Sequence, residues 1–277
     1  MRTLLNRWTR STSVAIPDPL WTLTLASLPF MQRLTREERI RLRVLAAQLL
    51  ADKQMSAAAG LTLTAAMQVS IAVQACLPVL NLGLDWYRGW KSIVVYPSEF
   101  LVPRSVTDDD GVVHEFTEPI AGEAWEGGPL VISWEDAQQS ATGAGAAYSV
   151  VIHEFVHKID LLDGNADGVP PLLTMHKPLS IDRWRNVLDQ SFNRFAAELE
   201  LIDTELPDDL DPESDEVDRY YAHLPLDPYA AHDEAEFFAV SSETFFVDPG
   251  RLHDAFPDWY GLLSQFFLQD PLAPAVR

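Results

Sequence analysis

The sequence predicts an α+β domain, and three observations carry that prediction. Helical periodicity dominates the stretch up to Trp90, short β-branched and aromatic runs follow it, and helical spacing returns from Gly145 onward. Helices, then a small sheet, then helices, with no internal repeat, is the order of an α+β fold rather than of alternating strand–helix units. A chain of 277 residues, 47% of them hydrophobic, has apolar content enough for one substantial core.

Residues 1–20 read as an arm, because Arg2, Arg7 and Arg10 are not followed by an apolar core with a cleavage site and Pro17-Asp18-Pro19 interrupts the stretch. Residues 21–270 are expected to form a single domain, helical to about residue 90 with the sheet and active-site part beyond, and 271–277 a tail. Thr35 caps a helix over Thr35–Gln48, with Glu37 and Glu38 in its first turn and Ile40, Leu42, Leu45 and Leu49 expected on one side. Gln54 to Leu84 contains no charged residue and is long enough to span a bilayer. Thr62, Thr64, Gln68, Ser70, Gln74 and Asn81 punctuate it, however, and Ala65, Val69, Ala72, Val73 and Cys76 fall at helical spacing, which suits a helix buried in a protein core.

Ile93–Tyr96, Phe100–Val102, Val112–Phe116 and Leu130–Trp134 read as strands, with a hairpin turn at Asp108-Asp109-Asp110-Gly111. Leu130–Trp134 is the expected sheet edge for pairing with an extended peptide. Helices are expected over Ser149–Leu161, Ile181–Leu201, His232–Phe246 and Trp259–Phe267. Between them, nine carboxylates crowd Asp203–Asp218, the pattern of a solvated loop.

Charge narrows the partners. With 41 Asp and Glu against 20 Lys and Arg, a net charge of −21 argues against nucleic acid and against anionic lipid, both of which need a cationic face. The single cysteine, Cys76, can form no internal disulfide, so a soluble, cytoplasmic protein is expected.

The chemistry concentrates in His153-Glu154-Phe155-Val156-His157, a His-Glu-x-x-His run flanked by Val150, Val151, Ile152 and Ile159. On a helix the two imidazoles point from one face, one turn apart, and offer two of the four ligands of a tetrahedral zinc ion. Glu154 can then act on water without ligating the metal. An accidental match to such a run is expected on the order of once in a hundred chains of this size, and a buried helix would hardly carry these polar groups unpartnered. His114-Glu115-Phe116-Thr117-Glu118 begins with the same letters but lacks the second His and lies in a strand-like stretch.

A catalytic zinc needs a third protein ligand and one open position. No Glu lies between Glu154 and Glu198, so that ligand is remote, with Glu234, Glu236 and Glu243 as candidates and His176, His223 and His232 as less specific alternatives. Glu236 stands out because it sits among Ala235, Phe237, Phe238 and Ala239, where a carboxylate is costly to bury unless it meets a cation. Asp160 and Glu243 are candidates to support the outer imidazole nitrogens.

Together, the His153–His157 helix and the run from Ala235 to Phe246 resemble the Mlc titration factor A family, bacterial zinc peptidases of the gluzincin type. Leu77-Pro78-Val79-Leu80, Val95 to Phe100, Gly128 to Trp134 and Gln269-Asp270-Pro271-Leu272 agree, so the resemblance runs from the Thr35 helix to the C-terminus. It implies a zincin-like metallopeptidase fold similar to the anthrax lethal factor catalytic domain, with a small mixed sheet, the active-site helix and surrounding helices. It further implies one Zn²⁺ per chain held by His153, His157 and Glu236, with Glu154 and Tyr229 catalytic. Aminopeptidase-like hydrolysis of a peptide or protein substrate is the implied activity, and an Mlc-like transcriptional repressor of sugar uptake the implied regulatory partner. The chain departs from the enterobacterial pattern in its long N-terminus and in the acidic insertion around Asp208–Asp218. The competing expectation is a non-catalytic regulatory binding protein, an anti-repressor with a structural or vestigial zinc site.

Overall fold

Helices α1 (Asp18–Ser27) and α2 (Arg36–Asp52) open a computed structural model that describes residues 15–107, 113–124, 127–142, 148–207 and 217–273. The first helix thus begins within the stretch read as an arm. Thr35 closes a capping box on α2: its hydroxyl accepts from the Glu38 N–H at 3.2 Å while Glu38 accepts from the Thr35 N–H at 2.8 Å. Leu42, Ala46 and Leu49 face the core, but Ile40 is 57% exposed. Two residues along a helix turn the side chain by about 200°, so Ile40 and Leu42 do not share a face, contrary to the expected stripe.

The charge-free stretch divides into a short strand, β1 (Gln54–Ala57), and a buried helix, α3 (Ala65–Cys76). Among the described residues no helix is long and apolar enough to cross a membrane. β2 (Ser92–Tyr96) follows, then a separate antiparallel pair, β3 (Phe100–Thr107) and β4 (Val113–Ile120). The turn expected at Asp108–Gly111, most of the acidic insertion, residues 1–14 of the arm and the last four residues of the tail lie outside the described residues.

The principal sheet has the order β1-β2-β6-β5, where β5 is Gly122–Ala124 and β6 is Leu130–Ser133. β1, β2 and β6 run parallel and β5 antiparallel. This corrects the expectation for Leu130–Trp134. β6 pairs on both sides and all four of its residues are buried, which is what a continuous apolar run in a central strand indicates; the edges are β1 and, next to β6, β5.

α4 (Trp134–Thr142), α5 (Val150–Asp160), α6 (Ile181–Glu205), α7 (Asp218–Tyr221), α8 (Glu234–Val247), α9 (Pro249–Ala255) and α10 (Pro257–Phe267) complete a mostly helical molecule. α5 packs against the sheet on one side and α8 on the other. Beneath α8 an aromatic core interlocks edge to face, with Trp184 and Trp259 at 4.9 Å and Trp184 and Phe266 at 5.4 Å between ring centroids.

Arg33 locks the far end of α8. Its guanidinium donates to the terminal carbonyls of Phe246 at 2.6 Å and Val247 at 3.1 Å, a cation set on the negative end of the helix. Arg33→Ala is expected to lower the unfolding free energy by about 1–3 kcal/mol in urea denaturation, because those carbonyls lose a charged donor. An unchanged denaturation midpoint would show the cap to be dispensable.

Candidate metal centre

The N-cap of α5 is Ser149, whose hydroxyl accepts from the Ile152 N–H at 3.3 Å. From that start the helix presents His153 and His157 on the face toward α8. On α8 the N-cap Asp233 accepts from the Glu236 N–H at 2.9 Å, which sets Glu236 in the first turn facing them. His153 Nε2 lies 3.0 Å from His157 Nε2 and 3.0 Å from Glu236 Oε2, and His157 Nε2 lies 3.2 Å from the same oxygen. These three side chains, 11%, 13% and 16% exposed, are the group among the described residues that could hold a metal ion.

The donor set fits a tetrahedral cation. Ligand atoms held about 2.0–2.1 Å from zinc are separated by roughly 3.3 Å, close to the sides of this triangle. The outer shell sets the tautomer: the Glu243 carboxylate faces His153 Nδ1 at 2.7 Å, so the ring proton sits there and Nε2 turns its lone pair inward. Glu243 also accepts from the Ser149 N–H at 2.6 Å, and the Ser149 hydroxyl donates to Gln74 of α3 at 2.9 Å. Burial opposes charge on His153, yet the Glu236 and Glu243 carboxylates outweigh it and push the imidazole well above its ordinary range. Burial likewise raises Glu236, but its hydrogen bonds with the two imidazoles hold it well below the carboxylate range. A site so inclined to gather positive charge suits a divalent ion.

Glu154 lies beside this triangle, 3% exposed, with Oε2 meeting no hydrogen-bond partner. Burial pushes its carboxyl up to about 7. Its position depends on Gly122 of β5, since a Cβ there would come within 2.6 Å of Glu154 Cγ and 2.7 Å of Cδ. Only a residue without a side chain lets the edge strand lie on this carboxylate. The Tyr229 hydroxyl donates a long hydrogen bond, 3.4 Å, to Glu236 Oε1, and its ring, 46% exposed, lies 6.2 Å from that of His153. A cavity of about 480 Å³ opens between these groups, lined by Gly122, Glu123, Tyr148 and Tyr229 besides the triangle and Glu154.

Of the other candidates, Glu234 and His223 are exposed, and His232 pairs with Asp233 at 3.1 Å. His176 is buried against Trp86 and Phe266, accepting from the Leu173 N–H. None of them joins the triangle. The sequence assigned Gly122, Ser149 and Gln74 no part in the site. A lone Gly in a strand-like stretch and a Ser just before an apolar helix were the available signals, and only tertiary contact connects either of them to this site.

Comparison with known proteins agrees with this geometry. Residues 3–268 match the family described as glucose-regulated metallo-peptidase M90. Similar curated relatives are named Mlc titration factor A. That of Serratia proteamaculans is 38% identical over 259 residues, covering 93% of this chain and 89% of the relative. That of Yersinia enterocolitica is 34% identical over 252 residues, covering 91% and 86%, and that of Yersinia pestis strain Pestoides F is 34% identical over 252, covering 91% and 85%.

Asp160, expected behind an imidazole, is engaged elsewhere: fully buried, it accepts from the Gly168 N–H at 2.8 Å and bonds to neither histidine. Gly168, at φ +70°, packs on the backbone of Glu234, so Asp160 seats the loop after α5 against the start of α8. Burial pushes the Asp160 carboxyl up from 3.8 to about 7. The folded state therefore holds a proton that the unfolded state releases, and stability from this group is lost as pH rises from about 4 through about 7. Asp160→Asn copies the neutral form. With chelator present, its melting temperature is expected to exceed the wild-type value by a margin that grows between pH 5 and 7 and then levels; a pH-independent difference would refute the shift.

Proposed function

Because the chain belongs to the glucose-regulated metallo-peptidase M90 family, we propose that it is a zinc-dependent peptidase of zincin-like, gluzincin type, acting on the N-terminal residue of peptides in the cytoplasm. The observation that carries this reading is the donor triangle of His153, His157 and Glu236 with the buried Glu154 carboxylate beside it. His153 and His157 through Nε2, and Glu236 through its carboxylate, would hold the ion. When bound, zinc supplies Lewis acidity, making water a stronger acid near neutral pH and polarising a carbonyl.

In this reading Glu154 accepts a proton from the attacking water as the water oxygen adds to the scissile carbonyl carbon. As the C–N bond breaks, Glu154 delivers that proton to the departing amine, so the carboxylate is regenerated. Burial raises this carboxyl above the ordinary range, the direction that suits a group which must both take and return a proton. Tyr229 donates its hydroxyl hydrogen bond to the carbonyl oxygen as that oxygen gains negative charge. β5 supports the substrate, since its outer edge pairs with no strand among the described residues and Gly122, Glu123 and Ala124 line the cavity. An extended peptide laid along that edge would add a strand and bring its backbone past Glu154.

The relatives' printed name favours a second role, contact with an Mlc-like repressor, either beside catalysis or in its place as a non-catalytic anti-repressor. Glu154→Gln separates the two. The peptidase reading expects unchanged zinc content by elemental analysis with hydrolysis of aminoacyl p-nitroanilides reduced about 10²–10⁴-fold, and chelation abolishing the wild-type rate. Wild-type protein that is zinc-loaded and hydrolyses none of these substrates would favour the binder. Gly122→Ala is expected to lower kcat about 10²-fold with KM and zinc content little changed, because the new methyl group displaces Glu154. Wild-type kcat in that variant would show that the general base tolerates the shift.

A further inference from the structure

Charge is unevenly distributed along this chain: residues 1–43 hold eight of its 20 Lys and Arg but only three of its 41 Asp and Glu. On the folded molecule part of that excess gathers on α2, where Arg36, Arg39 and Arg43, with Trp21, Leu34 and Ile40, line a shallow cavity of about 360 Å³. The three guanidiniums differ in state. Arg43 is fixed, donating to Asp18 at 2.6 Å and to the Ile16 carbonyl at 2.5 Å while lying 5.7 Å over the Trp21 ring. Arg39 donates to the Gln32 carbonyl at 2.8 Å, but its buried Nε meets no acceptor. Arg36 is exposed and has no ion pair or hydrogen bond among the described residues.

The same face carries uncovered apolar surface. Ile40 and Val44, one turn apart and in line with Arg36, are 57% and 51% exposed. Arginine, tryptophan and exposed aliphatic groups in one patch are the composition of a protein-binding site. We propose that this face of α2 docks an acidic, amphipathic segment of a partner protein, its carboxylates taken by Arg36 and Arg39 and its apolar side chains laid on Ile40, Val44 and Trp21.

Charge decides among the possible occupants. Residues 1–14 carry Arg2, Arg7 and Arg10 and no acid, so their charge does not complement the patch. A second copy meeting the patch through two-fold symmetry would set arginine against arginine. A broad anionic surface, membrane or duplex, is disfavoured by the chain as a whole, whose residues 44–277 hold 38 carboxylates against 12 Lys and Arg. A narrow segment stays within a screening length of about 8–10 Å of the guanidiniums and avoids that repulsion.

The test uses the full chain and a fluorescein-labelled helical peptide of about fifteen residues, Glu and Asp alternating with Leu at i, i+4 spacing, read by fluorescence anisotropy. Saturable binding is expected, weakened about tenfold between about 50 and 200 mM NaCl. Arg36→Glu should weaken it at least about tenfold and Ile40→Ser about threefold, both variants melting near wild type because the sites are exposed. A Gln-for-Glu peptide should not bind. The proposal is overturned by absence of saturable binding at low salt or by binding indifferent to Arg36→Glu. It is equally overturned if phosphatidylglycerol vesicles, duplex DNA or self-association, in place of the peptide, show the Arg36 dependence.

Discussion

The Glu243 carboxylate is the constraint on which the centre depends. Buried at 2% exposure, it is held by the Ser149 N–H on one oxygen and His153 Nδ1 on the other. Burying a carboxylate between two helices is costly unless such donors meet it, and both donors here belong to the first turn and a half of α5. One group thus fixes how α8 sits on α5, where α5 begins, and which nitrogen of His153 faces inward. Gln74 of α3 extends the restraint through the Ser149 hydroxyl, so three helices converge on a single ring.

A second constraint is steric. The edge strand approaches α5 so closely that Glu154 fills the space a side chain at position 122 would need. The carboxylate is thereby confined between backbone and metal triangle, desolvated and raised in pKa. Edge strand and buried carboxylate are neighbours for the same reason: their contact needs the backbone bare at Gly122. Asp160 and Gly168 repeat the device on the other side, where a glycine in the left-handed region lets a loop rest against the start of α8.

The electrostatics of the molecule have two poles. The cavity is walled by carboxylates that gather positive charge, whereas α2 exposes an arginine face on which Asp18 pairs with Arg43 and Arg36 has no ion pair among the described residues. At physiological ionic strength each field fades within about 8–10 Å, so the two can serve different partners on one chain of net charge −21.

Sequence by itself determined the elements whose residues interact locally. The spacing of His153 and His157, the buried run of α3 and the Thr35 cap follow from a period of 3.6 and from capping chemistry a few residues long, and the strands β2 and β6 from short β-branched runs. Glu236 stood out for a related reason, a charge set among aromatic residues that had to find a cation. Tertiary structure decided the rest. Strand order moved the open edge from β6 to β5, and the outward face of α2 was settled by which stripe met α3, leaving Ile40 in solvent. Asp160 turned to a backbone N–H instead of an imidazole, and Gly122 acquired its importance only where β5 crosses Glu154. The physical reason is common to all of these: pairing order, helix docking and close approach are set by contacts between segments tens of residues apart, whose energies depend on packing in space and leave no period along the chain.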